Sequence, residues 1–358
     1  MAKGHSRHKE YSLILAVIAA LLVGFLGATN SLALLVVLNL LAVAAILWSA
    51  FSVVRHADVL AHRFGEPFGS LILSLSIVVL EISLISILML SGSAGETLMR
   101  DTVYSVIIIV MAGLTGFALL IGGWRYKTQE FNLAGIRHYL ISIIPLSIIV
   151  FVLPAVLDGG YSKGQRAMVA VVCLLIYGAF LKLQTQTHRQ FFVFEHEDED
   201  ASHHGKPSTH STAWHTVFLI IHLIAVISVT KMNSYPLTKL LASLSVPPAF
   251  TGFLVAFLIL TPEGLGAFSS IISNQVQRAM NLLLGSVLAT ISLTVPTVLL
   301  IAALTGQETV MALESHDIIL LLATFLVCQT SLVSGRTNAH SGMAHVIIFL
   351  VYVMLLFR

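Results

Sequence analysis

The 358-residue chain is 57% hydrophobic and 10% charged, with a mean hydropathy of +0.94, which excludes a water-soluble globular protein of this size. Its formal net charge is +2 and it has no basic stripe interleaved with aromatics, so nucleic acid is excluded as a partner. Cys173 and Cys328 both lie in apolar runs without a CxxC pair, and read as packing residues rather than metal ligands.

The solvent is therefore lipid, and a helix needs ~20 mostly apolar residues to cross its hydrocarbon core. Eleven such stretches follow one another, at roughly 11–27, 33–54, 67–90, 102–123, 136–157, 167–183, 214–231, 247–268, 279–303, 317–334 and 342–357. They are continuously apolar, which predicts helices; a barrel would show short segments alternating in polarity. The first span follows Lys3, Arg7 and Lys9 and precedes small residues from Ala28 to Ala33, a pattern that also fits a cleavable signal peptide. Its near-unbroken run into the second span favours a retained helix.

The longest polar interruption, within 185–213, carries Glu195, His196, Glu197, Asp198, Glu199 and Asp200, followed by His203, His204 and His210. It divides the chain into a cytoplasmic N-terminus with the first span (1–30), a five-span unit (31–184), the acidic and histidine-rich linker, and a second five-span unit (214–358). Of the 19 lysines and arginines, only Arg100, Lys163, Arg166, Lys231, Lys239 and Arg358 fall on the side opposite the N-terminus. The positive-inside rule then puts the N-terminus and linker in the cytoplasm and the C-terminus outside. Five crossings per unit imply two units of opposite orientation, the inverted-repeat plan of many secondary transporters. Laying "ILSLSIVVLEISLIS" on "LVAFLILTPEGLGAF" places Glu81 on Glu263, and after a gap of four residues in the connecting loop Arg100 falls on Arg278.

A carboxylate inside a membrane span is costly and by default functional. Glu81 lies in the third span and Glu263 in the eighth, beside Pro262, which is expected to break that helix and expose backbone carbonyls. At 100° per residue, Ser70 and Ser74 fall within about 20° of Glu81. In the ninth span Asn281, Gly285 and Ser292 share one face, and Ser286, Thr290 and Thr294 another. Hydroxyls in membrane spans more often bond their own helix than bind ions. The candidate cation and proton ligands are thus Glu81, Glu263, Asn281, Ser74, Ser70, Ser286 and Ser292, with the two glutamates as the metal-binding carboxylates. This oxygen-rich set without cysteine suits a hard cation such as calcium, which takes six to eight oxygens. Cation and proton compete for the same carboxyls, and competition with alternating access amounts to antiport. No cofactor is called for beyond the transported ions, calcium or sodium and potassium, and protons.

His222 in the seventh span is expected to be a core residue bonded to a carbonyl, with a proton relay as the alternative. In the linker, Glu195, Glu197, Asp198, Glu199, Asp200, His203 and His204 form a candidate regulatory site for divalent ions, against the alternative of a solvated charge run.

The stretches "FSVVRHADVLAHRFGEPFGSLILSLSIVVLEISLI", "HEDED" with the histidines after it, and "TPEGLGAFSSIISNQVQRAMNLLLGSVLATISLTVP" resemble the calcium/proton antiporters of the cation/calcium exchanger superfamily. The resemblance covers essentially the whole chain. It implies an all-α polytopic membrane protein of about eleven transmembrane helices, with an extra first span and two inverted five-helix repeats, in the bacterial plasma membrane. The family's two essential glutamates map onto Glu81 and Glu263, and its Gly-Ser pair onto Gly285 and Ser286. The asparagine usual before each glutamate is missing, since Val78, Val79 and Leu80 precede Glu81, and Leu260, Thr261 and Pro262 precede Glu263. Ala289 stands where the family has glutamine. The remaining partners are the lipid bilayer and, as an open alternative, a second copy of the chain. The rival readings are a cation channel and a non-transporting ion sensor; an intramembrane hydrolase would need a paired-aspartate, serine-histidine or HExxH arrangement, which the spans lack.

Overall fold

In the computed structural model the described residues are 10–64, 68–91, 95–192, 210–247 and 249–357; among them, the side chains at 61, 62, 68–71, 73 and 74 are not described. They form eleven long helices: α1 (Tyr11–Leu26), α2 (Leu32–Phe64), α3 (Phe68–Leu90), α4 (Leu98–Tyr126), α5 (Leu133–Val156), α6 (Lys163–Thr187), α7 (Thr212–Ser243), α8 (Ala249–Ile272), α9 (Val276–Thr305), α10 (Ser315–Ser331) and α11 (Ala339–Leu355). Seven of them, α2 and α4 to α9, are long and apolar enough to cross a bilayer, while α1, α10, α11 and the Leu75–Leu90 part of α3 are shorter apolar helices.

The helix starts follow from local chemistry. Ser162 and Gln165 make a reciprocal capping box at α6, and Asn132, Ser211 and Asn338 accept backbone N–H groups at the starts of α5, α7 and α11. Gly306, in the left-handed region at φ 71°, ends α9. α2 has 33 residues, or ~50 Å at 1.5 Å per residue, and outruns a ~30 Å hydrocarbon core. Its last turns, with Arg55 and His56, thereby reach beyond the expected span end, where Arg63 meets Thr212 at the start of α7.

Large apolar side chains are abundant on the outside, among them Leu21, Leu175, Ile319, Leu326 and Met354, whereas the interior of α4 and α9 is filled by Ile107, Met111, Leu284 and Val287. That distribution suits lipid on the outside. Without a hydrophobic drive between helices in lipid, close contact depends on small residues. Gly252 of α8 sits so near the backbone of Asp101 and Thr102 that a β carbon there would lie 2.7 Å from it. Gly342 of α11 faces Gly116 and Leu120 of α4 in the same way.

Two three-residue strands, β1 (Thr128–Glu130) and β2 (Arg336–Asn338), pair antiparallel with Gln129 opposite Thr337. They tie the α4–α5 connection to the α10–α11 connection, with Arg336 and Glu130 in an ion pair at 2.9 Å.

α4 widens into a π-turn at Ile109–Leu114 and α9 at Thr290–Thr294, as α5 and α6 also do elsewhere. Such a turn leaves carbonyls without their usual donor. In α4 the Met111 carbonyl is taken up by His345 Nδ1 at 2.7 Å, and His345 Nε2 meets Ser331 Oγ at 2.8 Å.

One expectation fails: Pro262 does not break α8, which stays helical from Ala249 to Ile272. Proline removes only its own N–H and so leaves one carbonyl, four residues back, without an intrahelical donor. In a membrane, surrounding helices support the turn that would open in water.

Candidate functional site

Glu81 of α3 and Glu263 of α8 are both buried, at 1% and 4% exposure. α9 joins them. Ser286 Oγ donates to Glu263 Oε2 at 2.7 Å, and one turn later Thr290 Oγ1 donates to Glu81 Oε2 at 2.7 Å. Four helical residues span ~6 Å, so a single face of α9 draws together carboxyls from the two halves of the chain. They are close enough to act on one another electrostatically.

Thr294, a further turn along, faces the Glu81 carboxyl without closing a hydrogen bond to it. Glu81 Oε1, Ser292 Oγ and Thr294 Oγ1 are all buried without a hydrogen-bond partner. Each such group forfeits about 1–3 kcal/mol when left unsatisfied, and two of them, Ser292 and Thr294, lie in the π-turn of α9.

Of the residues expected from the sequence, Glu81, Glu263 and Ser286 therefore meet along one stretch of α9 in two separate hydrogen-bonded pairs, Glu263 with Ser286 and Glu81 with Thr290, and Ser292 lies buried within the same π-turn as Thr290. Asn281 is placed otherwise: its Nδ2 donates to the Phe192 carbonyl at 2.7 Å and its Oδ1 accepts from Gln277 at 2.9 Å. Its amide thus secures the chain that follows α6. The side chains of Ser70 and Ser74 lie outside the described residues, as do Glu195, Glu197, Asp198, Glu199, Asp200, His203 and His204. His222 is buried as expected, but its Nε2 meets the Glu10 carboxylate at 2.9 Å instead of a carbonyl.

Thr290 and Thr294 were not among the ligands expected from sequence. The available signal was their four-residue spacing after Ser286. The two halves also differ: the register that pairs Glu81 with Glu263 and Arg100 with Arg278 puts Ile108 and Ala112 where α9 has Ser286 and Thr290. Both are fully buried. Both carboxyls take their hydroxyl donors from α9, and the corresponding positions of α4 supply packing.

Near the starts of α4 and α10 a cavity of about 560 Å³ is lined by Arg100, Asp101, Tyr104, Glu314, His316 and Asp317. Arg100 pairs with Asp101 at 2.8 Å and also donates to the Ala312 carbonyl, so one of its carboxylates is neutralised within the wall.

Residues 34–186 and 214–358 match the family model described as sodium/calcium exchanger protein. The chain belongs to that family. The match is interrupted where the sequence places the linker. Over 356 residues, 98% of this chain and 97% of the relative, the chain is 56% identical to the sodium-potassium/proton antiporter ChaA of Escherichia coli (strain K12). It is also 25% identical over 266 residues to the Ca(2+)/H(+) antiporter of Aphanothece halophytica, covering 69% of this chain and 70% of that one. The fold matches native YfkE with a TM-score of 0.76 at 16% identity, over 97% of this chain and 99% of the other. Both relatives are named as ion antiporters, not enzymes. The chain is a multi-pass membrane protein of a cation/proton antiporter family.

Proposed function

We propose that the chain is a secondary antiporter that exchanges cytoplasmic calcium, with sodium and potassium as further substrates, for protons by alternating access. The observation that carries this reading is the pair of buried carboxyls, one from each half, hydrogen-bonded to consecutive turns of α9. The names of the relatives support proton-coupled cation exchange, and they span all three metal ions.

Glu81 and Glu263 are the shared ligands. Two carboxylates balance one dication or two protons, so the buried site need never hold an uncompensated charge. Their four oxygens, with the hydroxyls of Ser286, Thr290, Ser292 and Thr294, approach the six to eight that calcium takes. The two five-helix units, 31–184 and 214–358, are inverted repeats that rock against each other about this site. The cavity between the starts of α4 and α10 is then the outer vestibule, where the carboxylates of Glu314 and Asp317 draw cations.

In everted vesicles or proteoliposomes with an imposed proton gradient, calcium, sodium and potassium are each added in turn. Gradient collapse that depends on both the protein and the cation supports the exchange. Cation flux without proton movement would identify a channel, and no response to any of the three would end the proposal. The orientation has its own test: a reporter active only in the periplasm is expected to be active when fused after Arg358 and silent within the linker near Ser202. The reverse pattern would invert the topology.

A further inference from the structure

A second group of ligating side chains lies where α1, α2 and α7 meet. It consists of Glu10 just ahead of α1, Arg55 and His56 on α2, and His215 and His222 on α7. The exchange proposed above uses none of them. Glu10 Oε2 stands 2.9 Å from His222 Nε2, and Glu10 Oε1 3.5 Å from His56 Nε2. One donor atom from each of Glu10, His56 and His222 lies within 4.8 Å of the others. His56 is 1% exposed and His222 0%, while Glu10 Oε1 and His222 Nδ1 are buried without a hydrogen-bond partner.

We propose that Glu10, His56 and His222 form a binding site for a divalent transition metal of the zinc class. Two imidazoles and one carboxylate are a ligand set used in three-ligand zinc sites with an open fourth position. Calcium and magnesium prefer oxygen alone, so this site selects a different ion from the carboxyl pair on α3 and α8. Tetrahedral zinc with ligands at ~2.0–2.1 Å holds its donor atoms about 3.3 Å apart. The separations from Glu10 to His222 and His56, 2.9 and 3.5 Å to its two oxygens, lie on either side of that distance, and side-chain rotation would bring the donor atoms, all within 4.8 Å of one another, to it.

The surroundings are arranged to match. His56 Nδ1 lies 2.9 Å from His215 Nδ1. With the proton on His56 Nδ1, that bond leaves the Nε2 lone pair directed at Glu10, the outer-shell orientation that metal-binding histidines use. Arg55 Nη2 lies 2.6 Å from Glu10 Oε2 and 3.2 Å from His56 Nε2, so its guanidinium holds a cation's place among the ligands. Its side chain is 35% exposed and has room to turn outward. Because α2 belongs to one five-helix unit and α7 to the other, an ion held here fastens the two units at one end. That consequence rests on the alternating access proposed above; the binding does not.

The test is zinc binding to the full chain in detergent, in a background where Glu195, Glu197, Asp198, Glu199 and Asp200 are replaced by Ser and His196, His203 and His204 by Gln, so that the linker's candidate divalent site is removed. The expected result is one zinc per chain that excess calcium does not displace. Glu10→Gln or His222→Gln should remove it, and His215→Asn should weaken affinity by roughly 10–100-fold through the outer shell. Unchanged stoichiometry in both ligand variants, or no zinc in the background chain, would overturn the site. Arg55→Gln removes no ligand and covers the case in which the other variants do not fold. Its zinc affinity should rise, and an equal or lower affinity would also overturn the proposal.

Discussion

Glu81→Gln and Glu263→Gln are each expected to reduce cation-driven proton exchange to the level of vesicles lacking the protein. Glutamine keeps the length and shape of the side chain, and its oxygen can still accept from Thr290 or Ser286, so each variant should insert and unfold at nearly the wild-type temperature. What glutamine cannot do is release a proton or carry the negative charge that offsets a cation. Neither half of the cycle then has its ligand. Because α9 holds the two carboxyls one helical turn apart, losing either leaves a single charge facing a dication, and the surviving carboxyl should not rescue transport. Vesicle assays with matched amounts of folded protein decide this. Wild-type exchange by either variant would remove that glutamate from the mechanism.

A large effect on folding is expected at Gly342. An added β carbon would meet the backbone of Leu120 and come within 2.7 Å of the Gly116 carbonyl oxygen. Those atoms belong to the backbone of α4 and cannot rotate away as a side chain would. Gly342→Ala should therefore force α11 off α4 and lower stability by about 1–3 kcal/mol, the usual penalty for overpacking, and Gly342→Leu should leave little folded protein. Gly178 of α6 is the control, since nothing lies within 4 Å of a β carbon there. Gly178→Ala should be neutral or stabilising by up to about 1 kcal/mol, the helix propensity gained over glycine. Thermal unfolding in detergent separates the two cases. Equal melting temperatures for both alanine variants would show that α4 and α11 are not held by this contact.

The sequence by itself determined the solvent, the helical class, the number and order of the apolar segments and the two carboxylates within them. Those properties depend on local composition: apolar runs of bilayer length can satisfy their backbone only as helices, and an ionisable group inside one stands out against its neighbours. The resemblance singled out Gly285 and Ser286, and Ser286 donates to Glu263 in the structure.

The tertiary structure decided which polar groups meet. Thr290 reaches Glu81, 209 positions earlier in the chain, and no periodicity within α9 identifies a partner on α3. Asn281 has the chemistry of an ion ligand, yet packing offers it the Phe192 carbonyl and Gln277. Pro262 was expected to break α8, but neighbouring helices keep it whole. The same holds for Glu10, His56 and His222, which the sequence scatters across three segments and helix packing gathers within 4.8 Å. A local pattern shows what each helix can present, whereas its partner is set by contacts between helices far apart in sequence, where backbone geometry and small residues such as Gly342 fix the approach.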